Sequence, residues 1–497
     1  MSSLRDSKTA RWTALVFLAF AMFCAYIFMD ILSPVKSILE STRGWDSEAF
    51  GTYAGSETFL NVFIVFLIFA GIILDKMGVR FTALLSGAVM ILGAAINWYS
   101  VTEMFMGTGL ESWFNHNLNY IPGFDEMGVS PFYRGMPASA KAASVGFMVF
   151  GCGVEMAGIT VSRGIVKWFR GKEMALAMGS EMALARLGVA SCMILSPLIA
   201  KANIFGGANV SHSVAFGVLL LIIAFIMFIA YFFMDKKLEI QTGEAEEKDD
   251  PFMIRDIGKI FASSGFWLVA LLCVLYYSAI FPFQKYAVNM LQCNLGFSET
   301  QAGTVFAVFP LLAAAITPFL GNFIDRRGKA ASMLMLGSTL LVVCHLTFAF
   351  ILPMFRPEIS PTGEVLGTAS TGGIVLALTT ILVLGASFSL VPASLWPSVP
   401  KLVDSKVIGS AYALIFWIQN MGLWFFPLII GKILKASNQD IINSAIIEDQ
   451  FKPVLYDYTN PLLMLACLGA VALILGFILK IVDKKQGLGL ELPNIKK

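Results

Sequence analysis

The chain is 497 residues long, 57% hydrophobic and only 14% charged, with a formal net charge of +2. Soluble domains carry about 25% charged residues, so this composition excludes an ordinary water-soluble globule. The near-neutral balance, with no long Lys/Arg tract, also argues against nucleic acid as a partner.

The polar, basic start, Met1 to Arg11, leads into an apolar run with no A-x-A-type cleavage site, so that run reads as a first spanning helix. Crossing roughly 30 Å of hydrocarbon takes about 20 apolar residues. Such runs lie near 12–34, 51–74, 81–102, 144–166, 173–200 and 213–234. A second set lies near 265–290, 300–324, 330–352, 372–400, 407–434 and 459–482. The prediction is an all-α integral membrane protein with twelve transmembrane helices in two pseudo-symmetric six-helix bundles, 1–234 and 265–497. Between them, 235–264 is predicted to be a solvated cytosolic linker, with the acidic stretch Glu244-Ala-Glu-Glu-Lys-Asp-Asp250 inside it. The seven cysteines (24, 152, 192, 273, 293, 344 and 467) fall within or at the ends of apolar runs, with no CxxC pair. They read as small membrane-buried side chains, and neither a metal nor a cofactor is expected.

Two stretches repeat the same punctuation about half a chain apart. They are Gly71-Ile-Ile-Leu-Asp75-Lys76-Met-Gly78-Val-Arg80 and Gly321-Asn-Phe-Ile-Asp325-Arg326-Arg327-Gly328-Lys329. Charge is costly in hydrocarbon, so each cluster marks a membrane surface, and the repeat puts both copies on one side. The excess of Lys and Arg in the short loops of that side places both termini in the cytosol. Asp75 and Asp325 are expected to cap the next helix and to pair with an Arg from a neighbour. Gly71 and Gly321 are expected to let helices approach closely. With Lys76, Arg80, Arg326 and Arg327, these residues form a candidate inner gate. The motif resembles the loop between the second and third helices of the major facilitator superfamily, here present in both halves. Duplicated halves of this kind characterise secondary transporters.

Substrate information has to come from polar residues at mid-membrane. Glu155 and Arg186 lie about half a span from the nearest loop, where an isolated charge costs a few kcal/mol or more. They read either as a structural ion pair or as a bipolar cradle, with Glu155 for a substrate cation and Arg186 for a carboxylate, which a guanidinium holds in a bidentate way. Glu181, one and a half turns before Arg186, is expected to point elsewhere, as a proton site or as a charge nearer the cavity mouth. Asp30 on the first helix is a further buried acid, with Tyr26 one turn before it and a kink expected at Pro34. In the second half, Tyr276, Tyr277, Phe281, Gln284 and Lys285 cluster on the seventh helix. The tenth supplies Trp396 beside prolines, and the eleventh Gln419 and Asn420. Prolines beside an aromatic suggest a cavity wall there.

At these residues the chain resembles one family within the superfamily, the major facilitator superfamily domain-containing protein 1 family of lysosomal-type dipeptide transporters. The likeness is carried by Trp168-Phe-Arg-Gly-Lys-Glu173, Met182-Ala-Leu-Ala-Arg-Leu-Gly188, Tyr276-Tyr-Ser-Ala-Ile-Phe-Pro-Phe283, Ser394-Leu-Trp-Pro397, Gly409-Ser-Ala-Tyr412 and Ile418-Gln-Asn-Met-Gly422. It implies two six-helix bundles, a central site for short peptides, and Glu155 and Arg186 engaging the peptide's amino and carboxyl ends. Asp30 falls on a similar acid. Lys285 stands where an uncharged residue is expected. The N-terminal tail has no acidic dileucine signal, which points to a plasma or bacterial inner membrane and away from the lysosome. The function expected is alternating-access transport of dipeptides or short peptides, by uniport or with protons, with the lipid bilayer and a small-molecule substrate as partners. The alternatives are a permease for another zwitterion or an organic anion, and a transport-inactive receptor. No constellation suggests an enzyme, and nothing in the chain identifies an accessory subunit.

Overall fold

The computed structural model describes residues 4–118, 132–203, 207, 209–243, 258, 260–358, 367, 369–403, 408–445 and 454–493, with the backbone of 359 and 365–366. The acidic stretch 244–250 and half of the linker lie outside the described residues. Among the described residues, eleven helical segments are long and apolar enough to span a membrane. One of them, Phe66–Val101, contains Gly78 in a left-handed conformation at φ 77. It is therefore the end of one span and the whole of the next. Helices dominate because hydrocarbon offers no partner for backbone N–H and C=O groups, which a helix satisfies within itself.

The chain packs as two compact units. The first comprises Met1–Leu32 and Ser56–Pro251; the second comprises Ser33–Gly55 and Phe252–Lys497. In the first unit, α1 (Lys8–Met29) starts at Ser7, whose hydroxyl accepts the Ala10 N–H. After α2 (Lys36–Arg43) and α3 (Ser47–Ser56), which belong wholly or largely to the second unit, come α4 (Phe59–Phe63) and α5 (Phe66–Val101). A short α6 (Gly109–His116) precedes α7 (Ala138–Phe169), α8 (Met174–Lys201) and α9 (Val210–Thr242). The segment expected to be linker from 235 onward thus begins as helix. Helix α5 packs against α7 and α9, and α1 against α8, α9 and α7. Gly93 and Gly146 face the opposing backbone across the α5–α7 seam, where any side chain would keep the helices apart.

The second unit contains α10 (Ser264–Leu295), α11 (Glu299–Arg327), α12 (Ala330–Leu346), α13 (Thr371–Leu395), α14 (Ile408–Ser437), α15 (Gln439–Ala445) and α16 (Thr459–Gln486). Helix α10 packs on α14 and α16, α11 on α13, and α12 on both α13 and α16. Helix α11 begins with a reciprocal Ser298–Gln301 capping box. A tight 3-10 stretch, Trp396–Lys401, extends α13. This unit takes in the hairpin 33–55: Lys36 Nζ reaches Glu40 at 3.1 Å and lies 4.5 Å from the centre of the Tyr456 ring. The Tyr456 hydroxyl donates to Glu40, and Lys435 pairs with Asp46 at 2.8 Å and Glu48 at 2.9 Å. Six of the seven cysteines are buried, Cys467 is exposed, and none of the seven is in a disulfide. Large apolar residues such as Ile226, Phe233, Phe319 and Ile474 point outward, as hydrocarbon-facing helix surfaces require.

Candidate functional site

The first unit gathers charge around one tyrosine. Tyr26 on α1 lies within electrostatic reach of Arg186, Glu181, Glu155 and Glu57. These side chains come from α8, from α7 and from the break between α3 and α4, and all are half-buried. Local sequence explains the convergence. Gly188, half a turn beyond Arg186, lies against the Phe23 carbonyl, so α8 closes onto α1 beside Tyr26. Gly151, one turn before Glu155, lies against the backbone carbonyl of Glu57. A methyl group at either glycine would strike backbone.

Glu181, expected to point elsewhere than Arg186, lies within electrostatic reach of both Tyr26 and Arg186. Asp30 ends α1 as its C-cap and is buried. The chain beside it is tied down, since Ser196 Oγ donates to the Ile31 carbonyl at 2.5 Å and Ser213 Oγ to the Ser196 carbonyl at 2.6 Å.

Glu57 escaped the sequence reading. It sits where the second spanning helix is interrupted after Ser56, and a second interruption follows at Val65, a β-branched residue held at φ 54. Such conformations are costly for branched side chains and collect at functional sites. An acid inside an apolar run was the available signal.

The second unit holds an aromatic cluster. Trp396 Nε1 donates to the Tyr277 hydroxyl at 3.1 Å, and Tyr412 donates to the Trp396 carbonyl at 3.0 Å. Trp396 stacks on Phe416 at 4.8 Å, and Tyr277 stacks on Phe281 at 5.5 Å. Tyr276 is fully buried, with its hydroxyl 2.7 Å from Ser387 Oγ, which makes it a core contact of this unit. Gln284, Lys285, Gln419 and Asn420 are buried, and Cys273 donates to Gln419 at 3.6 Å.

At the first motif copy, Arg163 of α7 donates to Asp75 at 2.7 Å. Arg80 pairs with Glu239 at 2.6 Å and lies over the Phe232 ring; Lys76 is exposed. At the second copy, Asp325 lies within electrostatic reach of Lys401, and Arg326 and Arg327 are exposed. Gly71 and Gly321 do not mediate close approach: a Cβ at either would meet nothing within 4 Å. The tight glycines of the motif region are the turn formers, Gly78 at φ 77 and Gly328 at φ 73. A further cluster lies at the same end of the first unit. Buried Asp235 accepts from Lys167 at 2.6 Å, Trp168 Nε1 at 2.9 Å and Tyr231 at 3.3 Å.

Paired motif copies and, among the described residues, eleven apolar spanning segments are features of a membrane transporter. The chain belongs to the Major Facilitator Superfamily, whose sequence profile matches residues 127–427. It is similar to the lysosomal dipeptide transporter MFSD1 of Homo sapiens, 28% identical over 297 residues, 59% of each chain. The Danio rerio protein of the same name is 29% identical over 299 residues, again 59% of each. The match therefore spans about three-fifths of the length of these curated relatives. Among solved structures, nucleoside transporter NupG aligns with a TM-score of 0.63 at 13% identity, covering 95% of this chain and 98% of its own. A D-xylose–proton symporter aligns at 0.62 and 13%, with the same coverage. These two likenesses concern the fold alone.

Proposed function

We propose that the protein carries dipeptides or other short peptides across a plasma or bacterial inner membrane by alternating access, with both termini cytosolic. The carrying observation is the convergence of Arg186, Glu155, Glu181 and Glu57 on Tyr26. A dipeptide presents an ammonium and a carboxylate one peptide unit apart. Arg186 is the group suited to the carboxylate, through two parallel hydrogen bonds, and Glu155 is suited to the ammonium. The relatives' printed name, a dipeptide transporter, supports the same reading. The motif pairs Asp75–Arg163 and Arg80–Glu239 would then act as inner-gate contacts that form and break during the cycle.

The test compares a free dipeptide with its N-acetylated and C-amidated forms on wild type, Glu155→Gln and Arg186→Ala. Wild type should bind the free peptide at least tenfold more tightly than either blocked form, because each lost charged hydrogen bond weakens binding by roughly 1.5–3 kcal/mol. Glu155→Gln should erase the preference for a free amino end, and Arg186→Ala should abolish uptake. Equal binding of all three ligands by wild type would overturn the cradle and favour a permease for another zwitterion or an organic anion.

A further inference from the structure

Residues 487–493 take no part in the cradle, yet they are held by a dense set of contacts within the second unit. Gly487, left-handed at φ 66, turns the chain out of α16. Asp483 then accepts the Leu490 N–H at 2.9 Å. Leu490 is fully buried, and with Leu492 it lines a small hollow shared with Ile324, Ala330, Pro397, Ser398 and Lys401.

One side of this tail serves α12. That helix starts at Lys329, which is left-handed at φ 68 and makes no side-chain cap bond. The first N–H groups of a helix need outside acceptors, and a carboxylate suits them well. The tail supplies these. Lys329 N–H donates to the Glu491 carbonyl at 3.1 Å and Ala330 N–H to the Leu490 carbonyl at 3.2 Å. Glu491 Oε1 accepts the Ser332 N–H, and its Oε2 accepts the Ser332 hydroxyl, each at 2.9 Å. A Cβ on Gly328 would run into the backbone of Glu491 and Leu492, so the glycine of the second motif copy is also the tail's seat.

The other side holds the end of the α13 extension. Lys401 Nζ donates to the Gly489 carbonyl at 2.9 Å and the Leu492 carbonyl at 3.3 Å. Lys401 closes Trp396–Lys401, where Pro397 and Pro400 supply no N–H and the helical ladder fails. That stretch begins at Trp396, the hub of the aromatic cluster.

We infer that residues 487–493 are a conformational strap. It clamps the proline-broken end of α13 to the start of α12, and its release frees Trp396–Lys401 to bend and Trp396 to leave Tyr277 and Tyr412. A strap held by one buried leucine, two carboxylates and a few carbonyls can detach as a local unit while the helices stay folded.

The test uses the full chain with Cys467→Ser, which removes the one exposed cysteine of the seven. Ser398→Cys then places a thiol at a position buried against the strap. Leu490→Asp, and separately deletion of 487–497, should raise the rate of maleimide labelling at position 398 about tenfold or more. Glu491→Gln should give a smaller rise. Labelling as slow as in the intact tail, in protein that stays monodisperse, would overturn the strap. Should those variants aggregate, Leu490→Ala in the intact chain is followed by hydrogen exchange of 396–401. Faster exchange there supports the strap, and unchanged protection overturns it.

Discussion

Lysine and arginine carry the same charge, yet at position 186 they should not be interchangeable. A planar guanidinium holds a carboxylate through two hydrogen bonds, whereas an ammonium offers a point charge on a flexible stem. Arg186→Lys should therefore keep the fold, with an unchanged melting temperature, and weaken peptide binding tenfold or more, about 1.5 kcal/mol, in a thermal-shift titration. Wild-type affinity in that variant would remove bidentate recognition. A second residue-scale effect lies outside the membrane spans. Its own backbone N–H, and then the Arg11 guanidinium at 2.9 Å, hold the Glu173 carboxyl below its ordinary value of 4.5. A depressed carboxyl stabilises the fold fully above its unfolded value, and that contribution fades as pH falls through the folded one. Melting temperature should therefore drop below pH 4.5, and Arg11→Ala should flatten that drop. Glu155 and Arg186 were legible in the sequence because a charge inside an apolar run is a purely local signal. Glu57 carries the same signal, but near the start of its run it passes for a boundary acid until the backbone breaks around it.

Helices in hydrocarbon gain little from burying apolar surface against one another, so close contact between backbones carries more of their association. Gly151 makes such a contact with Glu57. Gly151→Ala should push α7 away from the helix break, lower stability by about 1–3 kcal/mol, and disturb substrate binding together with it. Thermal unfolding and ligand titration of the same preparation would report both. Unchanged values for both would mean that the break at Glu57 adjusts freely. At the motif, Asp75→Ala removes the carboxylate that accepts from Arg163 at 2.7 Å. Cysteines introduced beside Arg163 should then label faster, and turnover should slow. The spans themselves were readable from hydropathy, since length and composition decide them. The packing glycines were not. Gly71 and Gly321 stand out as a repeat, but a Cβ at either would meet no neighbouring helix, while Gly151 and Gly188, in no repeated motif, lie against backbone carbonyls. Residues 487–493 alternate Leu with Gly and Glu over too short a run to point to any partner, so their seat on α12 comes from the structure alone.

At the scale of the molecule, the cradle has three acids to one guanidinium around Tyr26. Excess negative charge in a poorly solvated site favours the arrival of protons or of a cationic cargo. Uptake into liposomes should thus rise as the outside is acidified, and Glu181→Gln should weaken that dependence. Uptake indifferent to every proton gradient would make the protein a uniporter and leave these acids to binding alone. The hairpin 33–55 has its own molecular consequence. It is encoded inside the first half of the sequence but packs with the second unit, so the polypeptide changes unit near Leu32, again near Gly55, and once more near Pro251. A protease cut in the stretch 244–257 would then fail to yield two self-sufficient fragments. The C-terminal piece would lose the carboxylate that receives the Tyr456 hydroxyl and both acids that meet Lys435. Co-expressed halves should rescue each other only when the N-terminal piece carries that hairpin, because the compact units do not follow the halves of the sequence.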